Sequence, residues 1–321
     1  MIGSSRLSRW LAHAALAAGS LIMMLPFIWM VLTSLKSNTE SITVPPKLLP
    51  GVKYYLKGTT TEVTVVNRGR TAWTVEVRSG EDRGKRMELP PGKVAKRRWL
   101  WENYTDAWKF APFGIYFFNS IVTTIAITVS QLFTSALAAY AFARLRFPFK
   151  NALFLVLIAT LMVPGQVVLI PNYILLSKMR LIDTYAALVV PFLASVFGIY
   201  FMRQHFETIP QDLFDAAKID GCSHWQVLTK IVLPLSQSVV LSTGLLTFIA
   251  NWNSLLWPLI VTNSPRMRTL QVGLAVFNQE AGTYWPMLMA ASTFSLAPLI
   301  ILFFLTQKTF IEGVASSGLK E

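Results

Sequence analysis

Apolar and polar positions alternate on two length scales along this chain. Long apolar runs read as roughly Ala12–Leu32, Phe118–Ala141, Ala152–Leu175, Tyr185–Phe201, Ser238–Val261 and Trp285–Leu305. Each falls within the length a helix needs to cross a hydrocarbon core of about 30 Å, so the pattern predicts six spans. Pro26 lies inside the first, which a spanning helix tolerates when its neighbours re-satisfy the freed backbone group. Tyr284 and Trp285 open the last, at the depth where aromatic belts sit. Between the first two runs the period drops to two. Glu62–Val66 and Thr71–Arg78 alternate apolar and polar residues in the manner of half-buried strands. Asn67–Arg70 and Ser79–Gly84 suit hairpin turns, and Arg83–Leu89 and Lys93–Trp99 add strands around Pro90, Pro91 and Gly92. The expected fold class is an all-α membrane protein of six transmembrane helices, with a small extracytoplasmic β-rich insertion between helices 1 and 2. The expected divisions are an N-terminal tail and helix 1 at 1–48, the insert at 49–99, and a transmembrane core at 100–321. An insert of about 50 residues is near the lower limit for independent stability, so it is expected to pack on a partner or on the membrane face, the alternative being a floppy spacer.

One polar stretch between apolar runs has its own design. Ile209–Pro234 reads as two short helices with a break at Gly221. Pro210 suits a helix start, where its missing N–H is no loss. Ile209, Leu213, Phe214 and Ala217 then fall on one face at helical spacing. Gly221 can take the left-handed conformation that ends a helix. Ser223 with Gln226 is a capping-box pattern for a second helix, which Pro234 is expected to close.

Composition agrees with the spans. Charged residues make up 14% of the chain, against about 25% in soluble domains, which fixes the membrane class. A net charge of +13 suggests nucleic acid in a soluble protein, but here the basic residues sit in one loop and at membrane edges, so that partner is set aside. With the N-terminus inside, the cytoplasmic segments hold ten Lys and Arg and the two short outer loops hold four, which places both termini in the cytoplasm. The loop from Lys36 to Ser120 adds fifteen more on the outside, but loops beyond about 60 residues translocate regardless of charge. The first apolar stretch is too long for a signal peptide and lacks a clear cleavage site. Cys222 is the only cysteine, and His13, His205 and His224 are too scattered to suggest a metal cluster.

The candidate chemistry is that of transport. The chain has no GxxxxGK[ST] pattern and so no P-loop of its own for ATP. No Asp or Glu falls within a span, which weighs against a proton-coupled carrier, although sodium can be held by carbonyls and hydroxyls alone. Polar uncharged residues do enter the spans: Asn119, Ser120, Thr123 and Thr124 in the second, and Gln166 and Asn172 beside Pro164 and Pro171 in the third. In the fifth, Asn251, Asn253 and Ser254 alternate with Trp252 and Trp257. Two readings stay open for them. They are either interhelical hydrogen-bond glue or the lining of a solute path, with Trp252 or Trp257 stacking on a sugar-like ring.

The polar stretch carries a resemblance. Asp215-Ala216-Ala217, Gly221 four residues after Ala217, and Ile231 with Leu233-Pro234 resemble the EAA motif of inner-membrane permeases in binding-protein-dependent ABC importers. The one departure is Asp215 where the motif has Glu, which keeps the charge and shortens the reach. Met162–Gln166, Leu169–Pro171, Gly198–Gln204, Trp252–Leu259, Thr269–Gly273 and Gln307–Gly313 are similar to the carbohydrate branch, in particular the smaller permease of maltose-type and glycerol-phosphate-type systems. The likeness covers roughly Leu11–Lys36 and Trp101–Gly318, and leaves the insert outside.

What the resemblance implies is a transport subunit, not an enzyme, in a bacterial inner membrane. Its implied partners are a second, different permease, two ATP-binding subunits that hold the ATP and Mg, an extracytoplasmic solute-binding protein, and membrane lipid. This chain itself needs no cofactor. The cytoplasmic loop 203–236 is implied to dock on the ATPase, with Leu213, Phe214, Asp215, Ala216, Ala217, Asp220, Gly221, Ile231, Leu233 and Pro234 as its coupling residues. Leu213, Phe214 and Ile219 are expected to be its exposed apolar anchors. Asn251, Trp252, Asn253 and Trp257 are the candidate solute path. Asn278, Gln279 and Glu280, in the loop from Thr262 to Tyr284, are candidate contacts with the binding protein. The solute is implied to be a sugar or a related polyol or sugar phosphate. The alternatives are a self-contained secondary transporter or channel, and a membrane-anchored binding module in which the insert acts.

Overall fold

A computed structural model describes residues 6–59, 61–79, 82–275 and 284–317. The chain forms two compact units. One takes Met1–Pro112 with Leu274–Leu296, the other Phe113–Gly273 with Ala297–Glu321.

The first unit opens with α1 (Arg6–Ser34), followed by the single turn α2 (Asn38–Ser41), whose N-cap Ser37 accepts from the Glu40 N–H. Five antiparallel strands follow: β1 (Lys53–Leu56), β2 (Glu62–Arg68), β3 (Trp73–Val77), β4 (Arg86–Leu89) and β5 (Val94–Arg97). Their order across the sheet is β4-β3-β2-β1-β5. The sequence pattern anticipated the last four strands. It missed β1, whose Tyr54-Tyr55 pair shows no apolar–polar alternation although only Tyr55 is fully buried. Leu89 and Val94, from the two edge strands, both pack on Val63, Val75 and Val77, so one face of the sheet supplies its own small core. Opposite it, Glu62 is tied to Lys53 at 2.8 Å and to the Thr39 hydroxyl. Burial opposes the ionised Glu62, but hydrogen bonds from Lys53, Thr39 and Ser37 outweigh that and hold its pKa below the ordinary 4.5. The ends of the insert meet, because the Leu100 N–H donates to the Leu35 carbonyl at 3.0 Å. Buried Asn103, on α3 (Glu102–Phe110), also donates to the carbonyls of Ser34 and Lys36.

The second unit is built on α4 (Phe113–Arg144), an unbroken helix with no proline. It packs along α8 (Val196–Thr208) and α12 (Gln237–Trp252). The remaining helices are short: α5 (Lys150–Ala159), α6 (Leu169–Lys178), α7 (Tyr185–Val189), α9 (Gln211–Ile219), α10 (His224–Val227), α11 (Leu233–Leu235), α13 (Leu256–Val261) and α14 (Leu270–Ala275). The last helix, α15, runs from Trp285 to Ser317.

Among the described residues only α1, α4 and α15 are continuous helices long and apolar enough to cross a membrane. The other apolar runs are bent. Lys150–Met162 meets Gly165–Lys178 at 91°, Tyr185–Phe192 meets Val196–Thr208 at 41°, and His224–Leu235 meets Gln237–Trp252 at 82°. Each bend has a local cause. Val163, held extended by the following Pro164, breaks the first. Ser195 breaks the second by capping α8 with its hydroxyl. The third breaks at Ser236, at φ −111°. The expected fifth run also needs correction, because its helix ends at Trp252 and restarts at Leu256, so Ser238–Val261 is not one element. Pro234 does not close its helix either. A π-turn at Leu228–Val232 shifts the hydrogen-bond ladder just ahead of it, and the chain stays helical to Leu235.

Candidate functional site

The stretch from Ile209 to Pro234 folds as the two short helices its spacing predicts. Pro210, in the N-cap position, opens α9, and the Cys222 N–H returns to the Ala217 carbonyl at 2.9 Å across the turn. Gly221 sits in that turn at φ +72°. Nothing lies within 4 Å of where its Cβ would be, so glycine is required by backbone conformation and not by space. The capping box is complete, with Ser223 N–H to Gln226 Oε1 at 2.8 Å and Gln226 N–H to Ser223 Oγ at 3.3 Å.

The apolar residues of α9 divide between two directions. Ile209 and Ala217 are buried in a cluster with Ala136, Ala139, Met202, Phe206 and Val232, and Phe214, Ile231 and Leu233 pack against it. Leu213 and Ile219 point outward, Ile219 at 86% exposure. Two expectations change. Leu213 is not on the buried face, and Phe214 is not an exposed anchor, because its ring lies 4.0 Å beneath the Arg144 guanidinium. Asp215, Ala216 and Asp220 are exposed, as is Pro234. Asp215 accepts from Gln211 Nε2 at 3.1 Å. The outward surface is therefore Leu213 and Ile219 among small and acidic residues, joined by Trp225, 57% exposed, which the motif did not single out.

The attachment of this segment was also not read from the sequence. Arg144, the last residue of α4, donates to the carbonyls of Phe206 at 2.6 Å and Ile209 at 2.5 Å and to Gln211 Oε1 at 3.2 Å. Tyr140, one turn earlier, shares a hydrogen bond of 3.2 Å with His224 Nδ1. In the sequence Arg144 registers only as one more cation at a span edge.

The polar span residues act first as glue. Asn119 donates to the carbonyls of Arg266 at 2.8 Å and Arg268 at 2.9 Å, and accepts from the Tyr185 hydroxyl at 2.5 Å. Ser120 Oγ accepts from the Leu270 N–H at 2.8 Å. Asn251 and Asn253 donate back to the carbonyls of Thr247 and Ile249. Trp252 is stacked on Phe248 at 5.9 Å and set edge-on to Phe117, and Trp257 donates from Nε1 to the Ala187 carbonyl at 2.9 Å. Asn251, Trp252, Ser254 and Trp257, with Ser120, Thr123 and Thr269, line a cavity of about 20 Å³. That is room for one water and not for a sugar ring. Asn253 is exposed and does not line the cavity. Asn278, Gln279 and Glu280 lie outside the described residues. Among the described residues no cluster of His, Cys, Asp or Glu could hold a metal ion.

The sequence of residues 131–315 matches the family of binding-protein-dependent transport system inner membrane components. The chain belongs to that family. It is 35% identical over 239 residues to the sn-glycerol-3-phosphate transport system permease protein UgpE of Yersinia enterocolitica, covering 72% of this chain and 83% of that one. Against the arabinooligosaccharides transport system permease protein AraQ of Bacillus subtilis it is 36% identical over 222 residues, covering 68% and 78%. These relatives are transport permeases and not enzymes, and so is this family member: a multi-pass membrane component. Its fold is similar to that of a chain in the crystal structure of a bacterial ABC transporter for import of the acidic polysaccharide alginate, with a TM-score of 0.69 at 20% identity over 97% of this chain and all of that one. A second alginate transporter structure, in complex with a pentasaccharide-bound periplasmic protein, gives 0.51 at 12% identity over 65% and 83%.

Proposed function

We propose that this permease is one half of the translocation path of an ATP-driven importer for a sugar or a sugar or polyol phosphate. Its outward-facing α9 receives the movement of a cytoplasmic ATPase. The observation that carries the coupling reading is Ile219, a large apolar side chain at 86% exposure on a short helix otherwise tied firmly to the span core. An exposed apolar anchor between small residues is what a groove on a partner accepts. Asp215 and Asp220 beside it offer charges for basic groups on that partner.

The substrate class rests on the two groups of relatives, which are named for glycerol phosphate and for arabinose oligosaccharides. In this reading α1, α4, the bent run 150–178, the bent run 185–202, α12 and α15 are the six spans, with both termini and the coupling loop 203–236 in the cytoplasm and the insert 49–99 outside. The partners are a second permease, two ATP-binding subunits and a solute-binding protein, the last supported by the alginate structure that contains a periplasmic protein. Asn251, Trp252, Asn253 and Trp257 border the solute path in a conformation more open than this one. Asn278, Gln279 and Glu280 face the binding protein.

The test is co-purification. Ile219→Asp should lower recovery of the ATPase subunit with this chain at least tenfold while membrane insertion is unchanged, because an exposed residue carries no packing here. Full recovery would place the docking elsewhere.

A further inference from the structure

The permease reading says where movement enters but not what carries it onward. Helix α4 has a grip at each end. At its last turn, Arg144 closes on the Phe206 and Ile209 carbonyls and covers Phe214, and Tyr140 holds His224. Tyr140 and Arg144 stand four residues apart, on one face of the helix. They therefore hold the first and second helices of the coupling segment to the same surface. The Phe206 and Ile209 carbonyls close the C-terminal end of α8, where carbonyls lack intrahelical partners and a cation is favoured. At the other end Asn119 holds the Arg266 and Arg268 carbonyls, Ser120 holds the Leu270 N–H, and the Tyr116 ring packs directly on Gly273. The two grips are twenty-five residues apart on an unbroken helix, about 37 Å at 1.5 Å per residue.

We propose that α4 is the strut of this permease, with Arg144 as the positioning residue that makes the coupling segment and α4 one rigid body. Asn119 then passes that body's movement to the 266–270 segment on the opposite side. The neighbouring helices fit this division, since the α5–α6, α7–α8 and α10–α12 runs are each bent and α4 is not. A bent pair can flex at its hinge, whereas a straight helix gripped at both ends transmits displacement. The inference rests on the coupling reading above for its use in transport. The rigidity it asserts is a property of this chain alone.

Paired spin labels test it. In a Cys222→Ser background, labels at Lys218→Cys on α9 and Val129→Cys on α4, both exposed, report the first grip by the width of their distance distribution. Labels at Val129→Cys and Arg266→Cys report the second. The expected result is a narrow distribution for both pairs. Arg144→Met should broaden the first pair at least twofold and leave the second narrow, and Asn119→Ala should do the reverse. Arg144→Lys, which keeps charge but not the fork, should fall between, and serves should the Met variant not fold. In the assembled importer, Arg144→Met should keep ATP hydrolysis and ATPase recovery within about twofold while uptake falls at least tenfold. An unchanged first-pair distribution in both Arg144 variants overturns the strut, even if the Ile219 test supports docking. Full ATPase recovery in the Ile219 variant, with the first pair broadened by Arg144→Met, overturns the docking reading and leaves the grip standing.

Discussion

At the scale of single residues, conformation and contact make separate demands. Gly221 is needed for its φ of +72°, with open space around it. A Cβ at Gly273 would instead stand 2.3 Å from the Tyr116 ring. The two positions should therefore respond to different substitutions. At Gly221, a β-branched residue in the left-handed region costs about 1–2 kcal/mol, and Asn much less. Uptake should fall in the order Gly, Asn, Ala, Val, with Val reduced roughly tenfold and the chain still inserted in the membrane. Equal uptake in all four would remove the turn from the coupling path. At Gly273, Ala alone should lower thermal stability, because the neighbour is the buried Tyr116 ring, set edge-on against Phe113. The motif residues were legible because Gly221, Ser223 and Gln226 have local rules. Phe214 was misplaced because helical spacing identifies a face but not which side of it finds a partner. Arg144 supplies that partner from sixty-two to sixty-five residues away, counted to the carbonyls it holds.

Elements show a second gap between pattern and fold. Hydropathy recognises how much apolar sequence there is, and each of its six runs holds helix. It does not see direction, so the 91° turn at Val163-Pro164 is invisible to it, despite the Pro-Gly pair inside the run. The β-insert was legible in four strands through their alternation, and obscure in β1, where register with β2 and β5 is set by pairing and not by local pattern. Its weak point is electrostatic. Glu62 is mostly buried and its pKa is held down in the folded insert, so the stability it contributes is present above the ordinary 4.5 and is lost as pH falls through the depressed value. Thermal loss of the sheet's amide I infrared band should therefore move to lower temperature below about pH 4.5. Glu62→Gln should be less stable at neutral pH and should lose most of that acid dependence. Identical acid shifts in the two proteins would assign the effect to other carboxylates.

For the whole molecule, orientation is the property that turns these parts into a transporter. The family and the relatives give an inner membrane component, and the side each end faces is part of the proposed function, argued from the charge of the short loops. The single cysteine is a convenient reporter, since Cys222 lies in the segment proposed to couple to the ATPase and is only partly buried. A membrane-impermeant maleimide should label it in inverted vesicles and leave it unlabelled in intact spheroplasts. A cysteine at Lys96 in the β-insert, in a Cys222→Ser background, should do the opposite. The reverse pattern for either one would invert the topology and with it the proposed place of the ATPase. Sequence reached the family through the motif of the polar stretch 209–234, extended by runs in the span region. It could not reach the strut, because a helix gripped at both ends is defined by contacts between residues far apart in the chain.

The hydrogen bond from Leu100 to Leu35 has a thermodynamic consequence. Where two ends of an insertion already meet, the entropy of closing the loop grows only as the logarithm of its length, about 0.6 kcal/mol for each doubling. The span core therefore pays almost the same for a short link, for the present sheet or for a larger domain at that junction. The permease can gain or exchange a domain there without renegotiating the stability of its membrane region.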